Sequence, residues 1–267
     1  MTRSTAGLTI ATARVVAAAG IRGRPSGAGE DPRGRGIGGR LRARAARRQV
    51  QSVALLARTP GFVRLRDEIV ALADPRPHER VLDVGAGSGL LALAVASGVS
   101  EVIAVDRSPA MCRHLAERAA ALALDNVTVV EADAACLPLP DDSIDLALSN
   151  YCLHHLDDAG KRQALRELAR VLRPGGRVVI GDMMFRLGLA SSRDRRVLAS
   201  FARAMLRRGP AGIGRLLKNA LKLLLAPSEH PAGADWWRRA LGEAGFTNVG
   251  ARELEHEAGL VWGRRAG

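Results

Sequence analysis

The sequence predicts an α/β protein built on a mostly parallel β-sheet with helices on both faces. Three observations lead to this prediction. Short apolar runs rich in Val, Ile and Leu, typical of buried parallel strands, recur at residues 81–84, 101–106 and 126–134. Segments with helical patterns or helix-start signals separate these runs. Each run is followed by glycines or by an acidic residue at the sheet edge where open α/β folds bind their ligands.

The first strand leads into a glycine-rich loop. Residues 81–89 read VLDVGAGSG, so that glycine occupies every second position at Gly85, Gly87 and Gly89. Glycine lets the backbone turn sharply and lie against a ligand where a Cβ atom would collide. The loop departs from the dinucleotide fingerprint G-x-G-x-x-G, whose third glycine would fall at Leu90. It predicts a cofactor-binding turn, although a tight turn without a ligand would give a similar pattern.

The second strand ends in Asp106, which lies 17 residues beyond Gly89. Folds of this class place a carboxylate near this offset, where it accepts hydrogen bonds from the hydroxyl groups of a ribose. The alternative is that Asp106 caps the following helix. Ser108 followed by Pro109 is the better helix start, so we expect Asp106 to be free to bind a ligand.

The third and fourth strands also end in polar residues. The third strand, residues 126–134, ends with Asp133 and Ala134. Asp133 is suited to accept a hydrogen bond from an amino group, or it is a turn residue before the Leu-Pro repeat at residues 137–140. The fourth strand follows a Pro-Asp-Asp-Ser turn and ends in Asn150 at the same edge of the sheet.

The remaining elements extend the alternation of strands and helices. A helix is expected over residues 158–172, then an Arg-Pro-Gly-Gly turn and a fifth strand at 177–183. A further helix over residues 234–244 stops at a glycine and precedes two strands at 247–252 and 256–262.

These signals, in this order, resemble the class I S-adenosylmethionine-dependent methyltransferases. The first motif of that family is D/E-x-G-x-G-x-G, and here Asp83 stands two residues before Gly85. The run LPLPDDSIDLALSNYCLHHL at residues 137–156 resembles the small-molecule branch that includes quinone C-methyltransferases. The resemblance covers about residues 77–182 and the stretch from Trp236. It implies a Rossmann-like, doubly wound, seven-stranded sheet with an antiparallel last strand, and S-adenosyl-L-methionine as the cofactor.

The resemblance also implies which residues bind the cofactor. They lie in the glycine-rich loop and at the ends of the strands: Asp83, Gly85, Gly87, Gly89, Asp106, Arg107, Asp133, Ala134 and Asn150. In the family, the counterpart of Asp106 binds the ribose. The counterpart of Asp133 accepts a hydrogen bond from the adenine amino group, and the amide of Ala134 approaches the ring.

Methyl transfer from a sulfonium is an in-line displacement, so the protein mainly has to align the donor and the acceptor. A general base is needed only if the acceptor must lose a proton. His154 and His155 follow the fourth strand and are the catalytic candidates, although a core or capping histidine is the commoner outcome. Glu229, His230 and Asp182 are weaker candidates near the predicted cleft. The sequence contains no HxH, HExxH or CxxC cluster, so we expect no metal site.

We divide the chain into a basic tail at residues 1–40, a helical cap at 41–76, a methyltransferase core at 77–184 and 232–267, and a helical insertion at 185–231. The tail, rich in Gly, Ala and Arg, is expected to be disordered on its own. The cap either shields the substrate, as in the resembling family, or simply packs against the sheet edge. The insertion is expected to form two helices. The second, cationic and amphipathic, covers the cleft as a lid or lies on a membrane surface.

The composition bears on the partners of the chain. Formal net charge is +13, of which residues 1–50 carry +9, so most of the excess is in the tail rather than on a nucleic-acid-binding face. Only 8 residues are aromatic, which leaves few surfaces for stacking bases. Residues 149–152 also lack the N/D-P-P-Y/F pattern of enzymes that methylate base amino groups. A nucleic-acid substrate is therefore disfavoured.

Other features favour a cytoplasmic protein that acts on small molecules. The three cysteines show no CxxC pairing and each has apolar sequence neighbours, which suits a reducing compartment. The sequence contains no run of 18 apolar residues, so we expect no transmembrane helix. The cationic insertion is compatible with peripheral contact with a membrane. We expect methyl transfer to a small, apolar acceptor. A nucleic-acid methyltransferase and a cofactor-binding module without turnover are the alternatives.

Overall fold

The computed structural model describes residues 15–17, 37–184, 195–196, 199, 203, 230–254 and 257–267. The strands in this part of the chain are β1 (Val15–Ala17), β2 (Arg80–Val84), β3 (Glu101–Asp106), β4 (Val127–Glu131), β5 (Ile144–Asn150), β6 (Leu172–Met183), β7 (Phe246–Glu253) and β8 (Ala258–Arg265). The helices are α1 (Ile37–Leu56), α2 (Pro60–Ala73), α3 (Ala92–Val95), α4 (Pro109–Ala121), α5 (Asp158–Val171) and α6 (Ala234–Glu243), with 3-10 turns at Ala96–Gly98 and Leu153–His155.

All of these strands belong to one sheet, in the order β1-β4-β3-β2-β5-β6-β8-β7. The strands from β4 to β6 in this order pair in parallel, and β8 pairs antiparallel with both β6 and β7. The chain order reverses at β2, which has β3 on one side and β5 on the other. The predicted doubly wound, seven-stranded sheet with an antiparallel last strand is therefore confirmed for β2 to β8.

The strand β1 is an addition that the sequence analysis did not predict. Val15–Ala17 pairs in parallel with β4 and extends the sheet at that edge. It lies within the segment expected to be a disordered tail, and two consecutive β-branched valines suit a strand that covers an exposed sheet edge.

Two hydrophobic clusters fill the two faces of the sheet. Val102 and Ala104 of β3 face one cluster, whereas Ile103 and Val105 face the other. The first cluster contains the buried hydrophobic residues of α2 and α3 and most of those of α4, and the second contains those of α5 and most of those of α6. Successive residues of a strand point to opposite faces of the sheet, and here both faces are buried. A sheet that is covered by helices on both sides requires this arrangement.

Most predicted elements agree with the structure to within a few residues, and three differ. The helix after the glycine loop is a single turn of α-helix, Ala92–Val95, continued by a 3-10 turn. β4 ends at Glu131, so Asp133 lies beyond the strand rather than at its end. β6 begins at Leu172, and its pairing with β5 skips the predicted Arg-Pro-Gly-Gly turn, where Gly175 has a φ of 77°.

Other expectations can be compared only where residues are described. Cys136 is exposed, which corrects the expectation that every cysteine sits in apolar surroundings. Residues 195–196, 199 and 203 are helical and lie within the first predicted helix of the insertion. The second predicted helix, about residues 213–225, and Glu229 lie outside the described residues. Among the helices that the structure describes, none combines the length and apolarity needed to cross a membrane.

Candidate functional site

The carboxyl ends of β2 to β5 border a cavity of about 570 Å³. The cavity lies where the strand order reverses, which is the usual ligand position in open α/β sheets. Its volume falls within the range of about 300–1,000 Å³ that is typical of small-molecule sites. Within the described residues, no group of three or more His, Cys, Asp or Glu side chains could hold a metal ion.

The three glycines of the loop have different structural roles. All have positive φ angles, but a Cβ at Gly85 would collide with Sγ of Cys152, and one at Gly89 would collide with Leu115. A Cβ at Gly87 would make only ordinary contacts, with Val53 at 3.7 Å and with the carbonyl oxygen of Gly85 at 3.8 Å. Gly85 and Gly87 line the cavity, whereas Gly89 does not. The expectation that all three lie against a ligand is therefore wrong for Gly89, whose missing side chain makes room for α4.

Asp106 faces both the glycine loop and the cavity. Its Oδ2 accepts a hydrogen bond from Gly87 N at 2.8 Å, and its Oδ1 accepts one from Ser108 N at 2.8 Å. The expectation of a free carboxylate is wrong, because the backbone N–H groups of the loop and of the helix start both point at it. Each carboxylate oxygen has a further lone pair, and Asp106 lines the cavity, so it remains able to accept from a ligand hydroxyl.

Asp83 is fully buried beneath the loop. Its Oδ2 accepts a hydrogen bond from Ala92 N at 2.9 Å, which ties the end of β2 to the start of α3. Burial raises the pKa of Asp83 to about 7, with a further contribution from the charge of Asp106, against the opposing effect of the Ala92 N–H. Asp83 also contributes to the cavity wall. Its clearest role is to fix the shape of the glycine loop.

The turn after β4 brings Asp133 and Ala134 to the cavity, opposite Arg107 from the end of β3. Asp133 is exposed, and its Oδ1 accepts a hydrogen bond from Ala135 N at 2.8 Å. The turn interpretation is thus correct for this oxygen. Because the same side chain lines the cavity, the two interpretations of Asp133 are compatible.

Asn150 provides an acceptor that the described protein atoms leave unused. Its Oδ1 is buried and has no hydrogen-bond partner within the described part of the chain. A buried carbonyl oxygen without a partner costs roughly 1–3 kcal/mol. Asn150 lines the cavity. A ligand that carries an ammonium group, as S-adenosylmethionine does, would satisfy this oxygen, and the bare Gly87 turn and Asp106 likewise fit a nucleoside.

Sequence analysis missed Tyr151, which follows directly after β5. Its φ is 50°, and its backbone N donates to Gly181 O at 2.9 Å. Its ring stacks on Phe62 with 4.4 Å between the ring centroids, and its hydroxyl donates to Glu257 Oε1 at 3.2 Å. Burial raises the pKa of the Tyr151 hydroxyl above its usual range. The available signal was its rarity, because Tyr151 is the sole tyrosine of the chain.

The two candidate histidines occupy different positions. His155 lines the cavity, whereas His154 is buried and is not part of the wall. His154 Nδ1 lies 2.6 Å from Asp182 Oδ1, and His154 N donates to Asp182 Oδ2 at 2.9 Å. His230, which we named as a weaker candidate, donates its backbone N–H to His154 O at 2.6 Å. The structure therefore separates the pair into one histidine at the cavity and one held in the protein interior.

The N-terminal helices complete the cavity. Gln49, Val53 and Ala57 come from α1 and the residue after it, and Phe62 from α2. Val53 lies next to the glycine loop, because its Cγ1 is 3.7 Å from the position that a Cβ at Gly87 would take. With Tyr151 and Leu156, the side chains from α1 and α2 make this part of the wall largely apolar and uncharged.

Comparisons with known proteins agree with this geometry. A family model described as a methyltransferase domain matches residues 81–176. The chain is 40% identical over 114 residues to an uncharacterized methyltransferase, YcgJ, of Bacillus subtilis, covering 43% of this chain and 44% of YcgJ. It is 41% identical over 106 residues to a demethylmenaquinone methyltransferase of Clavibacter sepedonicus, covering 40% of this chain and 42% of that protein. The chain thus spans less than half the length of these relatives.

A solved structure shows the same fold. A SAM-dependent methyltransferase from Aquifex aeolicus superposes with a TM-score of 0.57 at 20% identity, covering 80% of this chain and 97% of that one. The matched residues 81–176 contain the glycine loop, Asp106, Asp133 and Asn150. Residues 81–176 are therefore similar to a methyltransferase domain, and the chain shares the fold of a SAM-dependent methyltransferase.

Proposed function

We propose that the chain transfers the methyl group of S-adenosylmethionine to a small, apolar acceptor. The observation that carries this proposal is that the cavity wall combines two kinds of lining residue. Polar groups at the strand ends, with Asp106 and Asn150 among them, form part of the wall. Uncharged side chains of α1, with Phe62, Tyr151 and Leu156, form another part. A nucleoside-containing cofactor suits the polar groups, and an apolar molecule suits the uncharged ones.

The residues of the chain would act mainly by positioning. The cofactor supplies a methyl group on a positively charged sulfur, which is already activated for displacement. Asp106 would hold the ribose hydroxyls, Asp133 and Ala134 the adenine, and Asn150 Oδ1 the amino group. Arg107, next to Asp106 on the cavity wall, would border the adenosine. The stacked Phe62–Tyr151 pair would exclude water from the acceptor side, and alignment of this kind contributes up to about 7–11 kcal/mol in favourable cases.

His155 is the candidate general base for an acceptor that must lose a proton. It lines the cavity, whereas the Nδ1 of His154 is engaged by Asp182. A base is useful only within hydrogen-bond reach of the acceptor, which favours His155 over His154. An apolar acceptor is also consistent with the name of the Clavibacter relative, a demethylmenaquinone methyltransferase.

The test is to incubate the full chain with S-adenosylmethionine labelled in its methyl group and a lipophilic metabolite extract. We expect one labelled product that is absent with Asp106→Ala and that partitions into organic solvent. Labelled RNA in place of a small molecule would contradict the proposed acceptor class. Cofactor binding without any labelled product would indicate a binding module rather than an enzyme.

A further inference from the structure

The helix α1 has two chemically different faces. Its inner face contributes Gln49 and Val53 to the cofactor cavity. The opposite side of α1 carries the exposed residues Arg44, Arg47, Arg48 and Leu55, the last at 65% exposure. At the C-terminal end of the helix, by the corner that leads to α2, Leu56 at 50% exposure and Arg58 are exposed as well. We call these six residues the α1 surface. Two neighbouring leucines so exposed next to four arginines are unusual for a face that meets only water.

The charge of the α1 surface is not balanced locally. Residues 32–66 hold ten arginines and neither Asp nor Glu. Within the described part of the chain, no ion pair involves an arginine of the α1 surface, whereas Arg66, the last of the ten, pairs with Asp67 at 2.6 Å. An acid-free basic surface of this kind attracts anions over a distance of about 10 Å at ordinary ionic strength.

A second cavity of about 650 Å³ adjoins this surface. Ala54, Ala57 and Arg58 form one side of it, and its other charged or ionisable lining residues are Arg66, His114 and Arg118. No carboxylate lines this cavity. Its remaining wall is partly apolar, so its chemistry matches an anionic headgroup attached to a hydrocarbon chain.

We propose that the α1 surface docks on an anionic lipid bilayer. Leu55 and Leu56 enter the interface, the arginines contact lipid phosphates, and the adjoining cavity receives a headgroup. Helices with arginines beside exposed leucines bind such surfaces through buried apolar area and charge together. Nucleic acid would engage the arginines but would leave the two leucines in water, which is why the lipid is the better occupant.

This inference rests on the proposed function in one respect. An apolar methyl acceptor dissolves in bilayers, and α1 would then separate the bilayer from the cavity that its inner face lines. Docking by the outer face would place the cavity next to the phase that holds the acceptor. The docking itself needs neither the cofactor nor turnover, so it can be tested independently.

The experiment is co-sedimentation of the full chain with vesicles of phosphatidylcholine alone or mixed equally with phosphatidylglycerol. We expect binding to the mixed vesicles only. Arg47→Gln/Arg48→Gln should weaken it about 30-fold, because each arginine near an anionic surface contributes about 1 kcal/mol. Leu55→Gln/Leu56→Gln should weaken it about tenfold. The matched control is Leu122→Gln, because Leu122 is 57% exposed at the end of α4, outside the α1 surface. This variant should bind the mixed vesicles like the unmodified chain.

Several outcomes would overturn the docking proposal. They are equal binding to both vesicle types, unchanged binding by the double-leucine variant, and an equal loss with Leu122→Gln. A single-stranded RNA that competes with the vesicles, with no effect of the leucine substitutions, would assign the surface to nucleic acid instead. Calorimetry with S-adenosylmethionine on each variant checks the fold. Intact cofactor binding without vesicle binding overturns the docking alone, and vesicle binding without cofactor binding overturns the proposed function alone.

Discussion

Asp182 accepts two hydrogen bonds from a single residue, His154: one from the backbone N at 2.9 Å and one at the ring Nδ1 at 2.6 Å. Asp182 is fully buried at the end of β6, and His154 belongs to the 3-10 turn Leu153–His155. The contact therefore fixes the turn that places His155 on the cavity wall. Under the proposed function, His154 is a positioning residue and His155 is the residue that would meet the acceptor.

Asp182→Asn is the direct test of this role. The amide keeps one acceptor oxygen but turns the other into a donor, which would face either the backbone N–H or the ring Nδ1 of His154, because each is bound by a different oxygen of Asp182. We expect the free energy of unfolding to fall by about 2–3 kcal/mol, and kcat to fall as the turn loosens, because hydrogen bonds to charged groups contribute this much. The Kd for S-adenosylmethionine should stay within about twofold, since Asp106 and Asn150 are not touched. His155→Gln should lower kcat and leave the stability within about 1 kcal/mol. A tenfold weaker Kd in Asp182→Asn would contradict the assignment.

The glycine loop allows a matched pair of substitutions. Gly85→Ala places a methyl group into Cys152 at a φ of 73°, so we expect a loss of more than about 3 kcal/mol of stability. The methyl group of Gly87→Ala makes only ordinary contacts, at 3.7 Å or more, so its cost is the strain of a positive φ, about 1–2 kcal/mol. Its methyl group lies beside the cavity wall, however, and should weaken cofactor binding at least tenfold. Urea unfolding and calorimetry measure the two effects, and similar stability losses for both variants would refute the distinction.

Asp83 predicts a specific pH dependence of stability. Its pKa is raised from 3.8 to about 7 in the folded protein, chiefly by burial. At pH values between these two pKa values, the Asp83 carboxyl binds a proton in the folded state but not in the unfolded state. The contribution of Asp83 to stability therefore favours folding at low pH. This contribution is lost as pH rises through about 7. Asp83→Asn keeps an acceptor for Ala92 N and removes the titration. Denaturant unfolding from about pH 5 to pH 8 should show that the free energy of unfolding declines less with pH for Asp83→Asn than for the unmodified chain. An equal decline for the two proteins would contradict this view.

Asn150→Leu should change stability and binding in opposite directions. The substitution removes a buried carbonyl oxygen that has no partner in the described chain, so the free energy of unfolding should rise by about 1 kcal/mol. The Kd for S-adenosylmethionine should rise about tenfold, because the acceptor for its amino group is gone. Thermal unfolding and calorimetry provide both values. A variant that is less stable but binds normally would show that Asn150 serves the fold rather than the ligand.

Local patterns in the sequence were enough to predict much of the fold. Apolar runs and turn residues predicted the strands along the chain, and the glycine spacing located the loop. The family resemblance implied the doubly wound sheet and its antiparallel last strand. Asp106 and Asn150 were found because each follows a strand that ends at the same sheet edge. Such signals work because strand ends and glycine turns are encoded within a few residues.

The remaining features depend on residues far apart in the chain. Phe62 stacks on Tyr151, and Asp182 binds His154, but no local pattern encodes either contact. The backbone N–H groups that engage Asp106 come from a loop 19 residues away and from its own helix start, so these two hydrogen bonds could not be predicted from the sequence. Side-chain direction and long-range packing decide these contacts, and neither follows from composition or spacing.

The most direct test of the cofactor site is calorimetric titration of the full chain with S-adenosylmethionine. We predict one site per chain, a loss of at least about 100-fold in affinity with Asp106→Ala, and unchanged affinity with Glu131→Gln. Glu131 is the matched control, because it pairs with Asp106 in the sheet register, is exposed and does not line the cavity. The absence of binding by the unmodified chain, or equal affinities for it and for Asp106→Ala, would contradict the account.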